Sequence, residues 1–137
     1  MNPFNYAFSL RVEHPSLRAE EISTGLGLEP SRSWSAGDPR LSPAATPLEG
    51  IHDSTYWTAR LSEEEGVRDH ALLNVLAAAL ERLEERKVFL DSIPATGGSL
   101  SVFLGLVGEG NFGISLPPDL LGRLAALRIH LELDVYP

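Results

Sequence analysis

The sequence predicts an α+β fold: about four mainly antiparallel strands with helices packed on one face, in the order β-α-β-α-β-α-β. Three observations carry that expectation. Both ends of the chain alternate apolar and polar residues with period two, and each such segment has a single apolar side. A leucine series in the middle recurs at helical spacing. Two strand–helix–strand units of similar length flank that helix, an arrangement related to the ferredoxin-like two-layer sandwiches. The 137 residues suit a single domain over 1–137 with a core of its own.

Residues 4–13 open the first unit, with Tyr6, Phe8, Leu10 and Val12 on one side and Ala7, Ser9, Arg11 and Glu13 on the other. Pro15 and Ser16 start a helix to about Ile22, and Gly25 and Gly27 supply stop signals. Residues 29–53 differ in kind. Pro30, Pro39, Pro43 and Pro47, with Gly37 and Gly50, argue for a long loop without regular structure. Trp34 within it needs something to pack on.

Ser54 to Leu61 reads as the second strand, with Trp57 on one face and Tyr56, Thr58 and Arg60 on the other. Ser62 followed by Glu65 has capping-box spacing, and Glu63–Glu65 suit the positive end of a helix dipole. The central helix then shows Leu73, Leu76, Leu80 and Leu83, flanked by Leu72, Val75 and Ala79, and ends near Arg86. Val88–Ile93 adds a turn before Pro94. Ser99–Val107 is a third strand, and the glycine-rich segment after it a turn. Pro117–Pro118 begin a helix through Leu120, Leu121, Leu124 and Leu127. Ile129–Tyr136 closes the chain as a strictly alternating strand.

Composition removes several chemistries. The chain has no cysteine, which excludes disulfides, thiolate metal sites and cysteine nucleophiles. A net charge of −8 without a basic cluster argues against nucleic acid. The charge-free stretch from Ser92 to Gly108 carries Pro94, Gly97, Gly98 and Gly105 and reads as turn plus strand, so no membrane span is expected. The N-terminus lacks a basic n-region and an apolar h-region, which fits a cytoplasmic protein.

Gly108-Glu109-Gly110-Asn111-Phe112-Gly113 satisfies a dinucleotide-binding string after a strand, with Glu132 about 20 residues on. The following helix starts too late and Glu109 would face phosphate, so a turn is the better reading and no cofactor is expected. His14, His52, His70 and His130 are scattered without ligand spacing. The acidic run Glu63, Glu64, Glu65 and Asp69 lacks calcium-loop spacing.

Several short patterns together resemble a known family. Ile22-Ser23 precedes Leu26-Gly27-Leu28 and Pro30, Gly37 follows in the loop, Trp57 marks a strand, and Asp134 and Tyr136 end the closing strand. In that order they resemble a family of small bacterial proteins catalogued as domain of unknown function 4279. The resemblance implies a stand-alone bacterial cytosolic domain with no established activity, for which an immunity-type partner role is one expectation.

What the predicted core leaves over is one polar sheet face and the 29–53 loop. In register, that face carries Arg11, Tyr56, Arg60, Ser101, Phe103, His130, Glu132, Asp134 and Tyr136, and Trp34 is the loop's anchor. Arginine, aromatic and carboxylate groups together suit recognition of a partner. The expected function is therefore a non-enzymatic protein-binding domain, with a protein partner or a second copy of the chain as occupant. The alternative is a small-ligand or enzymatic pocket between loop and sheet, using Arg60, His130 and Asp134.

Overall fold

A computed structural model of the chain describes residues 2–136, apart from the Asp69 side chain. Its elements are β1 (Phe4–His14), α1 (Ala19–Leu26), β2 (Arg32–Trp34), β3 (Pro39–Leu41), β4 (Pro47–Ile51), β5 (Thr55–Val67), α2 (Asp69–Glu84), α3 (Lys87–Ala95), β6 (Ser99–Val107), α4 (Pro118–Ala126) and β7 (Ile129–Tyr136). The fold is α+β. Its main sheet has five strands in the order β2-β5-β1-β6-β7, and β3 with β4 forms a separate two-stranded sheet.

The sheet is mainly antiparallel, as expected, and differs at its two edges from the expected arrangement of about four strands. It gains β2 at one edge, and β6 and β7 run parallel at the other. Parallel neighbours need a crossover, and α4 supplies it. In a split ferredoxin-like unit another strand lies between the two that a helix joins. Here β1 lies beside β5 and β6 beside β7, so the order of strands is different.

Alternation decides the faces. Phe4, Tyr6, Phe8, Leu10 and Val12 of β1 and Leu100, Val102, Leu104 and Leu106 of β6 are buried on the helical side. α1 adds Ala19, Ile22 and Leu26; α2 adds Leu72, Leu76, Ala79, Leu80 and Leu83; α3 adds Leu90 and Ile93; α4 adds Leu120 and Leu124. Each such leucine contributes about 1.5–3 kcal/mol on leaving water. The α2 seam runs through Leu72 rather than Leu73, which is half-buried. Arg123 ties α4 to α2 by donating to both carboxylate oxygens of Glu84, at 2.6 and 3.2 Å.

Two further expectations are corrected. The 29–53 segment is not irregular: it forms β2 and the β3–β4 hairpin, with Pro39 and Pro47 at strand starts and Pro30 and Pro43 outside the strands. Its root is held firmly. Ser35 is buried, and its hydroxyl accepts from the Ala19 N–H (2.9 Å), capping a helix whose own N-cap, Arg18, makes no side-chain cap. The Ala36 N–H donates to Thr55 Oγ1 at 2.9 Å. Glu63–Glu65, in turn, do not begin a helix. β5 continues to Val67 and pairs with the first half of β1 through two register shifts, and α2 starts at Asp69. The cap-like spacing at Ser62 loses to sheet pairing, which satisfies more backbone groups than one cap.

The glycine-rich 108–117 segment is an irregular link to α4 rather than a hairpin turn, because β7 returns parallel to β6. Phe112 stacks on Phe4 at 5.2 Å and holds that link to the sheet.

Candidate functional site

Among the described residues, the helices pack on one face of the sheet and leave the second uncovered by them. Register places its side chains in transverse rows, because residues directly opposite share a face. Trp34, Tyr56, Glu13 and Ser99 form one row. Arg32, Thr58, Arg11, Ser101 and His130 form the next. Arg60, Ser9, Phe103 and Glu132 follow, and then Glu63, Ala7, Gly105 and Asp134. Val107 pairs with Asn5 on one side and Tyr136 on the other. The residues singled out from the sequence therefore share this one face, spread over its whole width.

Chemistry divides the face into three parts. At its centre the Arg11 guanidinium lies 3.9 Å over the Phe103 ring, and Arg11 Nη1 stands 3.7 Å from Glu132 Oε2. Arg11 Nε is buried without a hydrogen-bond partner. Arg60 turns the other way and donates to Glu63 at 2.9 Å. Arg60, His130 and Asp134 therefore do not converge: Arg60 stands on β5, and β1 and β6 separate it from β7.

Across the N-terminal end of β1 and the C-terminal ends of β5, β6 and β7 lies an open hollow of about 600 Å³. It exists because Ala7 and Gly105 stand where their rows elsewhere carry long side chains. Asn5, Phe103, Val107 and Tyr136 surround that floor, and Glu63, Glu64 and Glu65 line one side. Asp134 accepts a hydrogen bond from the Tyr136 hydroxyl, which raises the tyrosine's pKa. The register shift near Leu61 is what brings Glu63 to this face. Even-numbered residues of β5 face outward before it, and Glu63 stands opposite Ala7 after it. The hollow has a carboxylate rim, aromatic walls and no basic side chain in its lining.

At the β2 edge the pattern inverts. Trp34 stacks on His52 (4.4 Å) and on Tyr56 (4.8 Å), and the Arg32 guanidinium lies 5.1 Å from the Trp34 ring centre. A groove of about 830 Å³ runs between sheet edge and hairpin, lined by Arg32, Trp34, Arg40, Leu41, Leu48 and His52 among others. The residues lining this groove belong to the 29–53 segment itself, β2 included, and His130 and Asp134 stand at the far edge of the sheet from it. His52 and His130 are likewise kept apart. Leu41, Leu48 and Ile51 of the hairpin are exposed.

Sequence reasoning missed the hollow's floor and rim: Ala7, Gly105, Val107, Glu63 and Glu65. Small residues at Ala7 and Gly105 on an otherwise long-chained polar face are the signal that could have found it.

No curated protein and no solved structure matches the chain. The family model described as a domain of unknown function, DUF4279, matches residues 3–137, essentially the whole chain, and the protein belongs to that family.

Proposed function

We propose that this is a non-enzymatic binding domain that holds a partner protein against its open sheet face and hairpin, with a basic side chain of the partner seated in the Ala7–Gly105 hollow. The observation that carries the reading is the hollow itself. Its aromatic and aliphatic walls fit the methylene stem of a lysine or arginine, and its glutamates fit the charged head. The exposed Leu41, Leu48 and Ile51 supply an apolar anchor at the other end of the same surface. The net charge of −8 favours a basic partner and speeds its approach. An immunity-type role, neutralising a basic partner by occupying its surface, is one biological form of this activity.

Gly105→Val gives the sharpest test. A Cβ at Gly105 would lie 3.7 Å from Phe103 and 3.8 Å from the Ala7 carbonyl, so the larger side chain fills the hollow without a clash at its root. Tagged full-length protein recovered from its native host is expected to bring down a stoichiometric partner. Gly105→Val and Leu41→Glu should each lower that recovery about tenfold or more, as loss of an interface anchor does. Both variants should melt within about 2 °C of the parent. Recovery of no partner, or of one indifferent to both changes, would sink the reading.

A second reading, a small-ligand or enzymatic pocket, is favoured by the hollow's volume, which lies in the range of small-molecule sites. It requires small primary amines alone to raise the melting temperature, and Gly105→Val to abolish that rise. A flat response across such amines removes it.

A further inference from the structure

The exposed large apolar side chains fall into two groups, with Val88 the main outlier. One is the hairpin. The other lies on β7 and beside it: Leu133 and Val135 are each 56% exposed and Leu121 of α4 is exposed, while Val107 and Tyr136 are exposed on the opposite, open face. Leu133 and Val135 stand on the helical side of β7, the same side as buried Ile129 and half-buried Leu131. The apolar stripe of β7 thus continues past the cover that α4 provides.

β7 is also an edge strand, eight residues long and paired only with β6. Soluble proteins shield such edges with proline, lysine, bulges or inward charges. The strand Ile129–Tyr136 contains no proline or lysine, its pairing with β6 shows no register shift, and its charges all lie on the open face.

We infer that β7 pairs antiparallel with β7 of a second copy about a two-fold axis normal to the sheet, joining two five-stranded sheets into one. The inference does not depend on the binding function. A perpendicular two-fold pairs residues of the same face, which leaves few registers. Centring on Leu133 sets Glu132 against the second copy's Asp134 twice, and like charges directly opposite are unfavourable. Centring on Glu132 sets Leu131 against Leu133, Ile129 against Val135, and His130 against Asp134, each twice. That register covers both exposed apolar residues and gives His130 a carboxylate. Its one like-charged contact, Glu132 with its copy at the axis, is eased by Arg11, 3.7 Å from Glu132 in each chain.

Sedimentation of the full-length chain from about 1 µM to about 1 mM tests this, since association follows mass action. A monomer–dimer equilibrium is expected. Leu133→Lys and His130→Glu should each weaken it about tenfold or more, because every change acts twice across the axis. The double variant His130→Glu, Asp134→Lys should restore it. Leu41→Lys in the hairpin should leave it unchanged. A chain that stays monomeric throughout, a dimer indifferent to Leu133→Lys, or one lost in Leu41→Lys overturns the inference. A double variant that fails to recover does the same.

Discussion

Trp57→Ala is expected to cost about 3–5 kcal/mol, the range for removing a large buried aromatic. Trp57 is fully buried and is among the largest fully buried side chains of the core. Its backbone is flanked in the sheet by Val12 on β1 and Ser33 on β2. Its indole N–H donates to Ser23 Oγ on α1 at 3.0 Å, and Ser23 in turn donates to the Ala19 carbonyl at 3.3 Å. One side chain therefore fills space between sheet and helix and also orients the helix. Domains of this size hold about 5–15 kcal/mol in all, so the alanine variant should be largely unfolded in mild denaturant. Trp57→Phe separates the two contributions. It keeps most of the apolar volume and loses one hydrogen bond, worth about 1 kcal/mol. Urea titrations followed by far-UV circular dichroism measure both. A Trp57→Ala midpoint close to that of the parent would show that the core closes over the gap.

The same residue shows what the sequence makes legible. Trp57 in an alternating segment is readable as a core strand position without any partner in view. So are the bounds of β7, a period-two run, and of β6, an apolar run set between glycine-containing segments. Faces are legible for the same reason: alternation alone puts Arg11, His130 and Tyr136 on the side away from the helices. Strand order is another matter. Nothing local to β1 says that it lies between β5 and β6, and nothing local to β7 says that it runs parallel to β6.

Glu63–Glu65 show how local signals mislead. Three acids after a serine suit a helix start as well as they suit a strand, and only pairing with β1 decides. The shift near Leu61 then changes which of them face outward. The hollow was hidden for a related reason. It is made by side chains that are absent, at Ala7 and Gly105, and becomes visible only once β1 and β6 are known to be neighbours. The hairpin is the opposite case. Its prolines argue against strands in general, yet an exposed two-stranded ribbon tolerates them at its strand ends.

His14 is the position where acid is expected to act on the fold. It ends β1 on the helical side and is 4% exposed. Nδ1 accepts from the backbone N–H groups of Ser16 (3.0 Å) and Leu17 (2.8 Å), so the ring proton must sit on Nε2. Nε2–H then donates to Thr96 Oγ1 at 2.7 Å, and Thr96 donates to the Ser92 carbonyl at 2.7 Å. This chain fastens the end of β1 to the end of α3, and it works only with a neutral imidazole. Gly98 lies against the ring: a Cβ there would lie 2.7 Å from His14 Cδ2 and 2.6 Å from the Glu13 carbonyl, so a side chain at 98 would displace the imidazole or the strand. Burial lowers the His14 pKa below the ordinary 6.5, and Glu21 opposes that only in part. The sign follows from which state takes the proton first. Between 6.5 and the lower folded value the unfolded chain binds the proton and the folded chain does not, so stability falls as pH drops through that window. Above it His14 adds no slope. His14→Phe keeps the ring volume and removes both acceptor and donor. It should cost about 1–3 kcal/mol near pH 8 and flatten the acid-side decline, which urea midpoints at about pH 8 and about pH 5 compare directly. If the variant declines as steeply as the parent across that interval, another group is responsible, and the imidazole bridge between β1 and α3 is not the acid-sensitive fastening of this fold.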